Sequence, residues 1–468
     1  MSPIQFGTDG WRGVIGDTYT YDNVRIVAQA TADHLKSIGA TGPVAVGYDR
    51  RFSSEDFALL CARQIAAAGF KVLLSDAECP SPAVSYVTKH RNASVGVMIT
   101  ASHNPPRYNG YKLKASYGGS ANADLTGPIE KLAQAMQKAP IPQPADFEGR
   151  IQTMDFKTPY MDAVEAFVDL DVIRKIHGPI LVDVMYGSGA GYLAPFLQGL
   201  GVDATEFRGE RNTYFGGINP EPLPQNLVPT AKQVVAIGGK AVVIADGDAD
   251  RIAAMDETGR FVSPHEMFAL MLMHMVEDKG LRGPVARSIS STTMIDALCA
   301  KYSLPLMECS VGFKWIADEF MKDPQMLIGG EESGGIGIRG HIPERDAQLN
   351  ALLLLEMMAH RGKSLKQLVE EDLWPIVGFH CYDRRDLHLS AESIQRTREA
   401  VKAAAPTQVA GVEVRNINRR DGTRFEFDDG SWLLVRPSGT EPVVRVYSES
   451  SSCEKVQRFL DEGVALCR

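Results

Sequence analysis

The strongest constraint on the fold is a unit that recurs along the first three-quarters of the chain: a short apolar run that drops straight into a loop of Gly, Ser or Asp. It occurs in SVGVMITASHNPP (94–106), PILVDVMYGSG (179–189), KAVVIADGDADR (240–251), PVARSISS (284–291) and MLIGGEESGG (326–335). Such mostly buried runs suit the strands of parallel or mixed sheets covered by helices. Helical stretches lie between them. Ser53 and Ser54 offer an N-cap to one that carries Phe57, Leu60, Cys61, Ile65 and Ala68 on one face and stops at Gly69. An α/β architecture follows, and sheets of this kind place ligands beyond the carboxyl ends of their strands.

At 468 residues the chain exceeds a single core, and three or four domains are expected. Linker-like segments at 139–158, 256–265 and 371–376 divide it into 1–153, 154–255, 256–370 and 371–468. The first three are α/β units. The last reads as a helix (390–405), the strands VEVRNIN, TRFEFDD, WLLVRP and VVRVYSE, and a helix from Cys453, which makes it α+β. No sequence repeat of fixed period links the units. The net charge of −9 gives no electrostatic support to nucleic-acid binding. Mean hydropathy is −0.13, and no window approaches the ~20 apolar residues that span a bilayer, so no membrane partner is expected. The start, MSPIQFGTDGWRG, has neither the basic nor the apolar part of a secretion signal. Seven scattered cysteines, odd in number and without a C-x-x-C pair, point to reduced thiols in a cytoplasmic protein, not to disulfides or zinc.

Four loops carry chemistry. In AVVIADGDADR, Asp246, Asp248 and Asp250 stand at alternate positions beyond a strand, where extended backbone turns them to one side. Oxygen-only ligands suit a hard cation such as Mg²⁺. An EF-hand is excluded because its turn glycine would fall on Arg251 and a strand, not a helix, enters the loop. A haloacid-dehalogenase-like phosphatase, with Asp246 as nucleophile, is the rival from another enzyme class. Ser102 lacks a G-x-S-x-G elbow, which disfavours acyl transfer. A hydroxyl beside a divalent cation is, however, a phosphoryl acceptor, and Pro105 and Pro106 stiffen its loop. In GGEESGGIGIRGHIPERD (329–346), Glu331 and Ser333 offer polar groups suited to sugar hydroxyls. In RPSGTEP (436–442), Arg436, Ser438 and Thr440, with the backbone N–H groups around Gly439, form a candidate phosphate cradle.

Taken in order, these loops resemble the α-D-phosphohexomutase family. TASHNPPRYNGYK is similar to its phosphoserine loop, DGDADR to its Mg²⁺ loop, GEESGG to its sugar loop and RPSGTEP to its phosphate loop; FGTDGWRG, GYDRRFSS, FGGINPEPLPQN and VGFKWI fit as well. The resemblance implies three similar α/β domains and a smaller C-terminal domain around a central cleft. It implies one Mg²⁺ held by Ser102, Asp246, Asp248 and Asp250. Catalysis would rest on Ser102 with His103, Lys112, Arg12 and Arg251, and substrate contacts on Lys314, Glu331, Ser333, His341, Arg345, Arg436, Ser438, Gly439 and Thr440.

Phospho-Ser102 would give its phosphoryl group to a hexose phosphate, and the 1,6-bisphosphate would turn end for end and return the other one. The reading is a phosphoglucomutase that interconverts glucose 1-phosphate and glucose 6-phosphate with glucose 1,6-bisphosphate as activator. It would be a monomer or homodimer whose partners are small hexose phosphates. Phosphomannomutase, a bifunctional enzyme and phosphoglucosamine mutase are the alternatives within the family. One departure stands out: Gly335 occupies the place where bifunctional members carry a histidine, while Arg345 takes that of a basic residue in the phosphoglucomutase branch.

Overall fold

The computed structural model describes residues 3–7, 10–140, 143–438 and 443–467; Gly439 and Thr440 lie outside the described residues. Three α/β domains are followed by a C-terminal α+β domain, and each is built on its own sheet. In the first, Val72–Ser75, Val44–Tyr48 and Val95–Ile99 are parallel neighbours, and Tyr108–Ala115 returns antiparallel beside the last of them. The second repeats this order with Ala204–Phe207, Ile180–Asp183, Ala241–Ala245 and the return strand Ile252–Asp256. The third repeats it with Leu306–Cys309, Val285–Ser288, Ile328–Gly330 and the return strand Ile336–Ile338. The similarity between domains is thus one of topology, which explains why no sequence repeat is visible.

The consequence for function is direct. The Ser loop, the Asp loop and the sugar loop are each the turn between the third parallel strand of a domain and its antiparallel return. The entering strands Val95–Ile99, Ala241–Ala245 and Ile328–Gly330 are buried at every position, as their unbroken apolar sequences require. The RPSGTEP loop likewise joins antiparallel neighbours, Trp432–Pro437 and Val443–Ser450, in the five-stranded sheet of the last domain.

Three local expectations are corrected. Ser53 has φ 56° and its side chain caps nothing; the hydroxyl of Ser54 donates instead to Asp49 Oδ1 at 2.6 Å. The segment 371–376 is not a linker but helical, within Leu368–Leu373 and Trp374–Val377, and the chain leaves this helix at Gly378, φ 82°. Cys381 and Cys453 form a disulfide, so the chain is not a set of free thiols. The two lie 72 residues apart and are brought together by the fold, a pairing that spacing cannot reveal. The other five cysteines are free and buried.

Candidate active site

Ser102 lies just beyond strand Val95–Ile99 with φ 51°, a left-handed conformation that a serine holds only when its surroundings impose it. Arg51 imposes it. Its wholly buried guanidinium donates to the carbonyl oxygens of Ser102, Asn104 (2.7 Å), Pro105 (2.9 Å) and Tyr108 (3.0 Å), and is backed by Asp49 at 3.2 Å. The Ser102 hydroxyl donates to Asp246 Oδ2 at 3.0 Å and lies 3.3 Å from His103 Nδ1. Burial, reinforced by the charges of Arg251, Arg12 and Lys112, drives the His103 pKa well below its ordinary value, so the imidazole is neutral at pH 7.

The three aspartates converge, but on a tight turn and not on an extended segment. The N–H groups of Asp250 and Arg251 donate to Asp246 Oδ1 at 3.1 and 3.2 Å, and Ala249 takes φ 55°. One oxygen from each carboxylate lies within 4.8 Å of the others, and all three side chains are fully buried. Burial raises the Asp246 pKa far above its ordinary value, and repulsion from Asp250 and Asp248 adds to it. Burial acts on Asp248 in the same sense but is outweighed by Lys112, which holds that carboxyl low. Lys112 Nζ lies 2.8 Å from Asp248 Oδ2 and 3.3 Å from Asp250 Oδ2. Asp248 Oδ1 and Asp250 Oδ1 are buried with no hydrogen-bond partner among the described residues. Buried carboxylate oxygens left in this state are costly unless a cation completes them, so the site fits a hard divalent ion.

The third domain closes on this cluster through Arg345, whose Nη2 lies 2.7 Å from Asp250 Oδ2 and whose Nη1 lies 3.9 Å from Glu331 Oε2. Glu331 Oε1 accepts the Gly312 N–H at 2.9 Å. Burial lifts the Glu331 pKa to about 7 against the pull of Arg345. Glu332 turns away and accepts from Ser290 (2.6 Å) and Ser288 (3.2 Å). Arg12 joins the Ser loop through Asn104 Oδ1 at 2.6 Å, and Arg251 lies 3.8 Å from Asp250 Oδ1.

Ser102, His103, Lys112, Arg12, Arg251, Arg345, Glu331 and the Asp loop therefore form one connected set. Ser333 is half-buried on the sugar loop, and Lys314 lies against Trp315 on the preceding helix, Phe313–Lys322. His341 is drawn elsewhere. Its Nε2 is 2.9 Å from Asp346 Oδ2 and its ring packs near Phe167 and Tyr86. Arg436 pairs with Asp421 at 3.0 Å, and the Ser438 carbonyl accepts from Arg398 at 3.0 Å.

The chain matches the models for phosphoglucomutase/phosphomannomutase α/β/α domain I at residues 3–140, domain II at 158–259, domain III at 263–375 and the C-terminal domain at 394–466. It belongs to the phosphoglucomutase/phosphomannomutase family. This phosphohexomutase is an enzyme, an isomerase that works by phosphoryl transfer. It is 30% identical over 464 residues to a phosphoglucomutase/phosphomannomutase of Thermococcus kodakarensis, with 98% of each chain covered. It is 28% identical over 467 residues to a phosphoglucosamine mutase of Caldanaerobacter subterraneus, covering 98% of this chain and 97% of that one. A crystal structure from Thermus thermophilus, provisionally assigned as a phosphomannomutase, superposes with a TM-score of 0.86 at 34% identity over 99% of both chains.

Two residues beside these loops were not singled out from sequence. Arg51 stands in the quoted GYDRRFSS, but a lone loop arginine cannot be told from a surface base. Arg445 stands directly opposite Arg436 in the C-terminal sheet and lies 3.7 Å from Asp386 Oδ2. Alternation in VVRVYSE was the available signal.

Proposed function

We propose that this phosphohexomutase interconverts glucose 1-phosphate and glucose 6-phosphate through phospho-Ser102 and glucose 1,6-bisphosphate. The observation that carries the choice of sugar is the pairing of Gly335 with Arg345: a Cβ on Gly335 would lie 2.3 Å from Arg345 Cδ, so the arginine fills the space beside Glu331. The resemblance places a basic residue at this position in the phosphoglucomutase branch, which supports the reading. Phosphoglucosamine mutase is the second reading, favoured by the names of several relatives at similar identity.

In the forward half-reaction the P–Oγ bond of phospho-Ser102 breaks as a P–O bond forms to the free sugar hydroxyl. The hydroxyl proton leaves, and Ser102 Oγ gains one. His103, neutral and 3.3 Å from Oγ, is placed to take up the proton released by the sugar hydroxyl and pass it to Oγ. Asp246, Asp248 and Asp250, with the Ser102 oxygen, would hold Mg²⁺, which when bound offsets charge on the transferring group. Lys112, Arg251 and Arg12 supply fixed positive charge around the same point. Glu331 and Ser333 would read sugar hydroxyls, and Arg436, Arg445 and the Ser438–Thr440 loop would grip the distal phosphate.

We place the enzyme in the cytoplasm, as a monomer or homodimer acting on small hexose phosphates. Among the described residues no helix is long and apolar enough to cross a membrane.

A coupled assay comparing kcat/KM for the 1-phosphates of glucose, mannose and glucosamine, with bisphosphate present, tests the reading. Glucose should lead by about tenfold or more, the value of one well-placed hydrogen bond; a lead for glucosamine would transfer the assignment. Ser102→Ala should abolish turnover together with a phosphate-sized increment in intact mass. Retained activity, with the increment on Asp246, would favour the phosphatase rival.

A further inference from the structure

One buried ionic cluster joins the first and third domains and has no part in the chemistry above. Alternate residues of strand Tyr108–Ala115 share a face, so Lys114 points the same way as Lys112. Lys112 reaches the Asp loop, whereas Lys114 Nζ lies 2.6 Å from Glu344 Oε2, with neither side chain exposed. The hydroxyl of Ser120 donates to the same oxygen at 2.8 Å. The other oxygen, Glu344 Oε1, accepts the backbone N–H of Arg345 at 3.0 Å and lies 3.3 Å from its Nε. The guanidinium that touches both Asp250 and Glu331 is therefore gripped from behind by Glu344, and Glu344 is gripped by the first domain.

A buried ion pair is a poor source of stability, since desolvating both charges offsets much of their attraction and an apolar pair of similar volume serves as well. What it supplies is placement. An arginine between two carboxylates can satisfy them in several rotamers, and a third carboxylate fixed behind it selects one. We propose that Lys114 and Glu344 are positioning residues: through them the first domain sets the orientation of Arg345 between the Asp loop and the sugar loop. The inference rests on the mutase reading. It differs from a structural role in where the effect falls. A swivelled guanidinium still presents its charge to bound substrate but no longer its geometry, so kcat suffers more than KM.

The test uses the full-length enzyme in the coupled assay. Lys114→Met combined with Glu344→Gln removes both charges together. This variant should keep a cooperative thermal transition while kcat falls about 10- to 100-fold and KM for glucose 1-phosphate changes less than about threefold. In an Arg345→Gln background the same pair of changes should cost less than about twofold more, because it acts through Arg345. Equal losses in both backgrounds, or wild-type kcat in the charge-free variant, would overturn the proposal. Should that variant fail to fold, Ser120→Ala and Lys114→Arg replace it, with a several-fold kcat loss expected for the first and near-full recovery for the second; a kcat unchanged by Ser120→Ala overturns the proposal. Absence of hexose-phosphate isomerisation by the wild type would instead remove the mutase reading itself.

Discussion

A Cβ built on Gly335 would lie 2.3 Å from Arg345 Cδ and 2.8 Å from its Cγ, too close for either to stay. Gly335→Ala should therefore displace the guanidinium and lower kcat/KM about tenfold or more, while adding little to the loss already caused by Arg345→Ala. Steady-state kinetics of the three variants would decide it, and an unaffected Gly335→Ala enzyme would mean that Arg345 is not needed where it stands. Glu331 gives a pH signature. Burial raises its folded pKa from 4.5 to about 7, so its share of stability is complete below the unfolded value and is lost as pH rises through about 7. Sugar hydroxyls donate best to the ionised form. KM of the wild type should rise about tenfold between pH 8 and pH 6 relative to Glu331→Gln, and parallel profiles would rule out a carboxylate contact. The Asp triad could be read from the sequence because three like charges at alternate positions form a pattern. Arg51, Lys114 and Glu344 could not, because the contacts that tie them to the site span 51 residues from Arg51 to the Ser102 carbonyl and 230 from Lys114 to Glu344.

Strand Val443–Ser450 carries Glu449 into the contact between the third and C-terminal domains. Glu449 Oε1 accepts from the N–H of Thr293 at 2.9 Å, from its hydroxyl at 2.7 Å and from Trp432 Nε1 at 3.3 Å, and lies 3.1 Å from His380 Nδ1. Burial opposes ionisation of Glu449, but His380 and its other partners hold the pKa at about 2. Burial likewise opposes the charged form of His380, and Glu449 outweighs it, so that pKa is raised. The glutamate's contribution is present above its ordinary value of 4.5 and is lost as pH falls toward 2. The histidine's is complete below its ordinary 6.5 and is lost as pH rises through the folded value. The contact should be tightest between these limits. Hydrogen exchange at the Thr293 amide should quicken, beyond the intrinsic base-catalysed rate, from pH 6 to pH 9. His380→Gln should remove that excess at a cost of about 1–3 kcal/mol; an unchanged excess would mean that the imidazole carries no load there. Strands that enter the loops were legible because their apolar runs end abruptly at Gly or Asp. The helical character of 371–376 was not, because its acidic residues and Pro375 read as a break, whereas burial of Leu368, Val369 and Leu373 holds the helix together.

The hydrophobic cores divide unevenly. The first domain keeps a core of its own, from Ile4 to Ala133; a further cluster takes in residues from all three α/β domains, from Ala45 to Leu373, whereas the C-terminal domain has its own core from Ile394 to Cys467. Between them lies a small apolar patch of Ile289, Trp432, Leu434 and Tyr447. Denaturant titration should accordingly resolve two transitions, the C-terminal domain losing exchange protection first and the three-domain block later. Coincident transitions by every probe would refute this. The four-domain plan was legible from the recurring strand-and-loop unit, but the cluster shared across the three α/β domains was not, since it depends on contacts between faces that look alike in sequence. A fourth domain with a core of its own, joined to the third largely through polar contacts, also sets a commitment problem for the proposed reaction. If the intermediate must turn within the cleft, the domain holding one of its phosphates has to slacken without opening. Each opening competes with the second transfer, so a variant with a weakened Glu449 contact should leak bisphosphate and come to depend on its external supply.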